Sequence, residues 1–307
     1  MQSVQTLNSK VQIAELPPRR SRLAWLRSLV RSPVGLLGIV LVGLAVLAAL
    51  GAPLLAPHDP VELNLKARLL PPIWSEEGDP SYILGTDQLG RDLLSRIIFG
   101  SRISLIVGLG GVAISLTIGV TLGLISGYFG GITDTFISRI LDTFLSIPFI
   151  ILALAVIGVL GVKGGNNVLR LIVVLALANW VIFARVVRGE VLSVKTRDYV
   201  EAARAIGQRT PKIILRYVLP NVTASIIVLA TLQVATVIIA EASLSFLGLG
   251  VQPPTITWGI MLADGRDHLA TSWWLSTFPG IAITLTVLGL ILWGDWLRDV
   301  LDPRLKT

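Results

Sequence analysis

The sequence predicts an all-α integral membrane protein with six transmembrane helices, and three observations lead to this fold class. Hydrophobic residues make up 53% of the 307 residues and charged residues only 15%, whereas a soluble surface needs about a quarter of its residues charged. Six apolar stretches approach the length of about 20 helical residues that crosses a bilayer. Helices are favoured over strands because open strands would leave backbone groups unpaired in lipid.

The six predicted spans together contain only four formally charged residues: Asp142, Arg170, Arg185 and Glu241. Both arginines lie near the ends of the fourth span, where their side chains can reach the interfaces. In chain order the spans are Val34–Leu55, Ile103–Gly127, Ile140–Val162, Val168–Val187, Val222–Gly248 and Thr277–Gly294.

Lysine and arginine placement predicts the orientation of the chain. Seventeen of these residues fall on the side that holds both termini and the 188–221 loop, and seven fall on the opposite side. Both termini should therefore be cytoplasmic, and the net charge of +7 reflects topology, so no nucleic-acid binding is expected. The predicted order is a basic tail (1–33), a retained first helix (34–55), an extracytoplasmic segment (56–102), a core (103–294) and a cytoplasmic tail (295–307).

Small residues and prolines in the spans predict close packing and irregular helices. The second span has a small residue at every fourth position, which favours a packing seam over a gating hinge. Pro148 and Pro279 favour a kink or a helix start. The small residues are Gly111, Ser115, Gly119, Gly123 and Gly127.

Two carboxylates in predicted spans are candidates for function, because charge deep in a bilayer is costly and should face protein or water. Asp142 follows Arg139 by three residues, so it can form a local ion pair or face the pathway. Glu241 has no charged residue at helical spacing, so a pathway-lining role and an inter-helix or inter-subunit contact both remain open.

The sequence lacks the residue patterns that most enzymes use for catalysis. It has no cysteine and only two histidines, so no metal site is expected. None of its six lysines follows a glycine, so the chain lacks the Gly-rich phosphate-binding loop of ATPases. With no nucleophile–base constellation either, we expect no catalytic residues and no cofactor in this chain.

The segment 196–221 (TRDYVEAARAIGQRTPKIILRYVLPN) predicts two short helices joined at Gly207. Asp198 is placed to cap the first helix, and Glu201 follows three residues later. Thr210 then caps the second helix, and Pro220 disfavours its unbroken continuation into the fifth span. Helices this short need a partner surface, and the alanines offer a small face for a groove.

These residues carry a family resemblance. Glu201-Ala202-Ala203, Gly207 and Leu219-Pro220 resemble the EAA loop in permease subunits of bacterial ABC importers. Four further segments are similar to the C-type subunit of dipeptide, oligopeptide and nickel importers. They are LGTDQLGRDLLSR (84–96), GYFGG (127–131), ASLSFLGLGVQPP (242–254) and LRDVLDPRLK (297–306).

The resemblance implies a type I importer core in spans 2–6 with an extra N-terminal helix, in the cytoplasmic membrane of a bacterium or archaeon. It also implies a homologous second permease subunit, two P-loop ATPase subunits that bind ATP and Mg, and an extracytoplasmic substrate-binding protein. Peptides, or a related small cargo such as nickel, are the expected substrates. ATPase coupling is assigned to Glu201, Ala202, Ala203, Arg204, Gly207, Leu219 and Pro220.

Two other classes of transport protein compete with this interpretation. A secondary transporter would use an ionisable residue at the midplane, for which Glu241 is the candidate. A channel would need a ring of polar or charged residues, of which the spans offer few.

Overall fold

The computed structural model describes residue 29 and residues 32–160 and 167–301 of the chain. Within these ranges the regular elements are helices, with one isolated bridge between Thr86 and Asp92. Most of the predicted tail 1–33, the end of the third predicted span and residues 302–307 of the predicted C-terminal tail lie outside the described residues.

Five helices among the described residues are long and apolar enough to cross a membrane. The helices are α1 (Pro33–Leu50), α2 (Ala52–Leu55), α3 (Leu93–Phe129), α4 (Gly131–Ser146), α5 (Phe149–Leu160), α6 (Asn167–Val194), α7 (Asp198–Ala205), α8 (Thr210–Ile213), α9 (Leu219–Phe246), α10 (Trp258–Gly265) and α11 (Trp274–Leu301). The long ones are α1, α3, α6, α11 and the continuous helix from residue 210 to 246 that contains α8 and α9.

The third predicted span, 140–162, is wrong as a single helix. The chain instead forms α4 and α5, which meet at Ile147 and Pro148 with a bend of 100°. Pro148 explains the break, because the residue before a proline is driven into extended backbone; Ile147 has φ −93° and ψ 122°. With 12 residues, α5 is about 18 Å long and too short to cross a bilayer.

Other helix ends also differ from the predicted bounds. Helix α1 ends at Leu50, and the separate turn α2 takes the rest of the first predicted span. Helix α3 begins ten residues early, at Leu93, because the Asp92 side chain accepts a hydrogen bond from the Ser95 amide at 2.8 Å. Helix α11 contains Pro279 and continues to Leu301, so the predicted tail from 295 is helical up to that residue.

The core of the bundle is the contact between α3 and α6, and it confirms the predicted packing seam. All five small residues of the seam are buried. A Cβ atom on Gly123 would lie 2.7 Å from the Ala184 carbonyl oxygen, so only glycine allows this approach. The Ser115 hydroxyl donates to the Ala176 carbonyl at 3.0 Å, which adds a hydrogen bond between the helices.

The bundle has two different ends. We call the end formed by residues 56–96 and 253–275 the covered end, and the end formed by residues 127–146 and 185–221 the elbow end. At the covered end, the Trp274 indole donates to the Thr86 carbonyl at 3.3 Å. The Trp258 indole donates to the Ile97 carbonyl at 2.9 Å. The first bond joins the start of α11 to the 56–92 segment, and the second joins α10 to α3.

A cluster of two carboxylates and two guanidinium groups lies inside the covered end. Asp87 Oδ2 is 2.6 Å from Arg91 Nε and 3.4 Å from Arg96 Nε. Asp264 Oδ2 lies 3.8 Å from Arg91 and 3.7 Å from Arg96. The side chains of Asp87 and Arg96 are only 5% and 4% exposed. Burial raises the pKa of Asp264 above its ordinary value, and the charges of Arg96 and Arg91 oppose this rise.

Candidate coupling site and membrane-embedded charges

The first helix of the elbow, α7, has the charge order that stabilises a short helix. Asp198 and Glu201 lie in its first turn and Arg204 in its last, in agreement with the helix dipole. The predicted cap is off by one residue, since Arg197 occupies the N-cap position in extended backbone and Asp198 is the first helical residue. No side chain caps this end of the helix.

Gly207 ends α7 as predicted, in a left-handed conformation with φ +74°. The Gln208 amide donates to the Ala203 carbonyl at 3.1 Å and the Gly207 amide to the Arg204 carbonyl at 2.9 Å. This pair of bonds is a Schellman motif, which requires the positive φ that glycine adopts without strain. The chain therefore turns sharply at this point.

The prediction that Pro220 interrupts the chain before the fifth span is wrong. Helix α8, whose first residue is Thr210 after an Arg209 cap, continues through a π-helical segment, Ile214–Val218, directly into α9. The Leu219 amide bonds five residues back, to the Ile214 carbonyl. Pro220 follows this segment directly, and the wider π-helical turn accommodates a residue that has no amide hydrogen to donate.

The two faces of α7 differ in what they contact. Val200 and Ala203 are buried, and they belong to an apolar cluster with α6, α8 and the start of α9. Glu201, Ala202 and Arg204 are exposed. Ile206 is exposed to 74%, an unusual fraction for a large apolar side chain. The EAA segment thus has one alanine inside the chain and one on an open surface.

The last turn of α3 holds the 196–221 loop in place, a role that the sequence analysis missed. The Arg204 guanidinium lies over the Tyr128 ring at 5.1 Å from its centroid. The Lys195 ammonium donates to the Gly127 carbonyl at 2.7 Å. Tyr128 and Gly127 belong to the GYFGG segment, which is far from the loop in sequence, so spacing gave no signal of the contact.

Asp142 pairs with a residue of another helix. The local pair with Arg139 is not formed; instead Arg185 Nη2 of α6 lies 3.1 Å from Asp142 Oδ1. Both side chains are more than half exposed in the single chain, at 58% for Arg185 and 63% for Asp142. A second pair joins the same two helices, with Arg188 bound through two nitrogens to Asp134 at 2.5 and 2.7 Å.

Glu241 is enclosed by its own chain and is 1% exposed. Its Oε1 accepts hydrogen bonds from the Ser245 hydroxyl at 2.8 Å and from the Thr257 hydroxyl at 2.9 Å. Thr257 also caps α10 by accepting from the Ile260 amide at 3.1 Å. The carboxyl group therefore connects α9 with the first turn of α10.

In the part of the chain that the structure describes, no group of three or more His, Asp or Glu residues is placed to hold a metal ion.

Comparison with known proteins agrees with this architecture. The model of the family described as "binding-protein-dependent transport system inner membrane component" matches residues 119–307. The model of the N-terminal TM domain of oligopeptide transport permease C matches residues 20–72.

Two relatives are similar over most of their length. The di/tripeptide transport system permease protein DppC of Pseudomonas aeruginosa is 43% identical over 270 residues, which cover 88% of each chain. The dipeptide transport system permease protein DppC of Escherichia coli is 42% identical over 302 residues, which cover 98% of this chain and 99% of that one.

A solved structure shares the fold. An inward-facing structure of the MetNI methionine ABC transporter matches with a TM-score of 0.54 and 20% identity, covering 68% of this chain and 98% of its own. This chain therefore belongs to the family of binding-protein-dependent transport system inner membrane components, and it is a multi-pass permease subunit of an ABC importer.

Proposed function

We propose that this chain forms half of a translocation pathway for di- or oligopeptides, driven through the 196–221 loop by ATPase subunits that bind ATP and Mg. The other half comes from a homologous second permease subunit, and an extracytoplasmic binding protein delivers the cargo. Peptide cargo is supported by the relatives that are named as di/tripeptide and dipeptide permeases.

The exposed face of α7 is the observation that carries the coupling role. Helices of eight residues are marginal alone, and Val200 and Ala203 fix this one to the bundle. Its other face presents Glu201, Ala202 and the apolar Ile206 to the outside of the chain. Arg204 braces the helix against Tyr128, while Leu219 and Pro220 carry its movement into α9. A partner that moves α7 would therefore move α9 and α3.

The proposed orientation places the elbow end, the 1–33 tail and the 295–307 tail in the cytoplasm, with 56–102 outside. The unequal distribution of lysine and arginine supports it. In this orientation α7 faces the compartment that supplies ATP, and the pathway core extends over 103–294.

Glu241 is proposed to hold the bundle together. Its two hydroxyl partners within the chain satisfy a buried carboxyl group, which is the arrangement that low-dielectric surroundings require. A pathway role would need the side chain to reach open space, and its 1% exposure supports the structural role.

Charge reversal on the exposed face tests the coupling role. The Glu201→Lys variant should lose co-purification of the ATPase subunits and should lose peptide uptake, while the chain still accumulates in the membrane. Glu77→Lys, an equal charge change at an exposed residue of the covered end, is the matched control and should retain the ATPases. Normal ATPase co-purification and uptake with Glu201→Lys would count against the role of α7.

Cargo is tested separately. Uptake of labelled substrate is measured in cells that lack the gene for this chain and in the same cells after the gene is restored. Uptake of labelled dipeptide that depends on the chain supports peptide cargo. Uptake of labelled nickel with no dipeptide uptake would contradict peptide cargo in favour of nickel, and it would not affect the proposed coupling to the ATPases.

A further inference from the structure

An aromatic cluster at the covered end stands open on one side. The Trp74 ring of the 56–92 segment lies edge-on to Phe278 of α11, with ring centroids 6.0 Å apart and planes at 89°. The Trp273 ring contacts the same phenylalanine at 5.7 Å. Trp74 is 60% exposed and Trp273 is 45% exposed, although indole rings are well buried on average. Two indole rings thus meet on one phenylalanine, and this chain leaves much of their surface uncovered.

The loop that carries Trp74 has both apolar and acidic side chains on its surface. The Ile73 amide donates to the Ile83 carbonyl at 3.2 Å, which brings the two limbs of the loop together. Both isoleucine side chains are exposed, and so are those of Glu76 and Glu77. A loop of this composition is suited to a boundary between an apolar phase and water.

Phe278 is also the first residue of an exposed apolar stripe on α11. It lies four residues after the start of this membrane-crossing helix, about 6 Å along the helix axis. Ile281, Leu285 and Leu288 follow at intervals of three or four residues, which places them on the same helix face. Each of these three side chains is more than 40% exposed. The aromatic cluster therefore lies where the apolar face of α11 ends.

We propose that Trp74 and Trp273 anchor the covered end to the lipid headgroup boundary, with the loop 72–83 lying on the membrane surface. Indole rings favour this boundary because the ring is apolar and its N–H group bonds to water or headgroups. Lipid is favoured over a protein partner because the cluster continues into the stripe on α11, and residues 274–294 contain no charged side chain. The Trp274 indole ties the 56–92 segment to α11, so the anchor sets how α11 sits in the bilayer.

Tryptophan fluorescence with a conservative variant tests the anchor. Trp74→Phe keeps an aromatic ring against Phe278, so the complete complex should assemble as the wild type does. The emission of the wild type minus that of the variant reports Trp74 alone. In phosphatidylcholine nanodiscs whose lipids carry bromine at the top of the acyl chain, this difference emission should lose most of its intensity. Iodide dissolved in the buffer should quench it only weakly.

A spin label measures the depth of the loop with all three rings in place. The chain contains no cysteine, so Ile83→Cys and its matched control Glu77→Cys each give this chain one labelled position. At residue 83, collisions with oxygen, which dissolves in lipid, should exceed collisions with a water-soluble nickel chelate, and residue 77 should show the reverse. Adding Trp74→Ser to Ile83→Cys should shift its collision ratio toward that of Glu77→Cys, because the loop loses its apolar ring.

Trp74 emission that iodide quenches and brominated lipid does not would overturn the anchor. An Ile83 label as open to the nickel chelate as the Glu77 label would do the same. A label shielded from both oxygen and nickel would assign this surface to a protein partner and would also overturn it. A collision ratio that Trp74→Ser leaves unchanged would show that Trp74 does not hold the loop on the membrane.

Discussion

The covered end and the elbow end of this bundle differ in how far their charged side chains are buried. At the covered end Asp87 and Arg96 are almost fully buried, and their charges are balanced by residues of the same chain. At the elbow end Glu201, Ala202 and Ile206 are exposed, and only the inner face of α7 is packed. The covered end thus pairs its buried charges within the chain, whereas α7 keeps charged and apolar side chains on an open face.

This difference separates residues that hold the permease together from residues that connect it to its motor. Internal satisfaction of charges indicates a rigid contact, because opening it would leave ions unpaired in a low dielectric. Exposed apolar and acidic side chains on a short helix gain stability from a binding partner. Substitutions at the two ends should therefore affect different measurements.

The largest effect is expected at the covered end. Asp87→Asn removes the nearest negative charge from buried Arg96 and should lower the free energy of unfolding by about 3 kcal/mol. The melting temperature of the purified complex measures this loss. The matched control is Asp264→Asn, whose side chain is 35% exposed and farther from the arginines, and it should be tolerated. Equal melting temperatures for both variants would show that the cluster does not stabilise the covered end.

A pair of alanine substitutions should separate the two faces of α7. Ala203→Leu adds volume to a buried site and should destabilise the chain by about 1–3 kcal/mol. Ala202→Leu adds the same volume on the exposed face, so it should leave the melting temperature unchanged and weaken ATPase co-purification. A reversed pattern would mean that the helix binds its partner through the other face.

A smaller effect is expected at the turn after α7. Gly207→Val forces a β-branched residue into φ +74° and should cost about 1–2 kcal/mol in local stability. Hydrogen exchange at the Gln208 amide measures the loosened turn. Gly189→Val, at an exposed helical glycine with open space around its Cβ position, is the control and should leave that exchange unchanged. Unaltered exchange in Gly207→Val would contradict a strained left-handed turn.

The smallest effect is a pH dependence at the covered end. The pKa of Asp264 is raised in the folded chain by burial, so folding favours its protonated form. The resulting stability is complete below the unfolded pKa of about 3.9 and is lost as pH rises through the folded value. The melting temperature of the wild type relative to that of Asp264→Asn should therefore fall as the pH rises above about 4. A constant difference would refute the raised pKa.

Apolar length and local backbone rules predicted much of the bundle. Continuous apolar runs identified the long helices, and the four-residue spacing of small residues predicted a packing seam on α3, although it did not name α6 as the partner. Gly207 was recognisable as a helix stop because the left-handed backbone that ends a helix depends only on the local residue type. Pro148 favoured a kink or a helix start, but the 100° angle between α4 and α5 could not be predicted from the sequence.

Contacts between distant segments could not be predicted from the sequence. The partner of Asp142 is Arg185, 43 residues away, and local spacing favoured Arg139 instead. The brace of Arg204 on Tyr128 joins residues 76 apart. The prediction at Pro220 was wrong because a π-helical segment accommodates the proline, which has no amide hydrogen to donate. Residue type gives no signal of this adjustment.

The most direct test of the account is the reactivity of an Ala202→Cys variant toward an impermeant maleimide, since no other cysteine is present. Intact cells should show no labelling, and inverted membrane vesicles should show labelling only after the ATPase subunits are stripped from them. Labelling in intact cells would contradict a cytoplasmic elbow. Full labelling in unstripped vesicles would contradict the docking of a motor on α7.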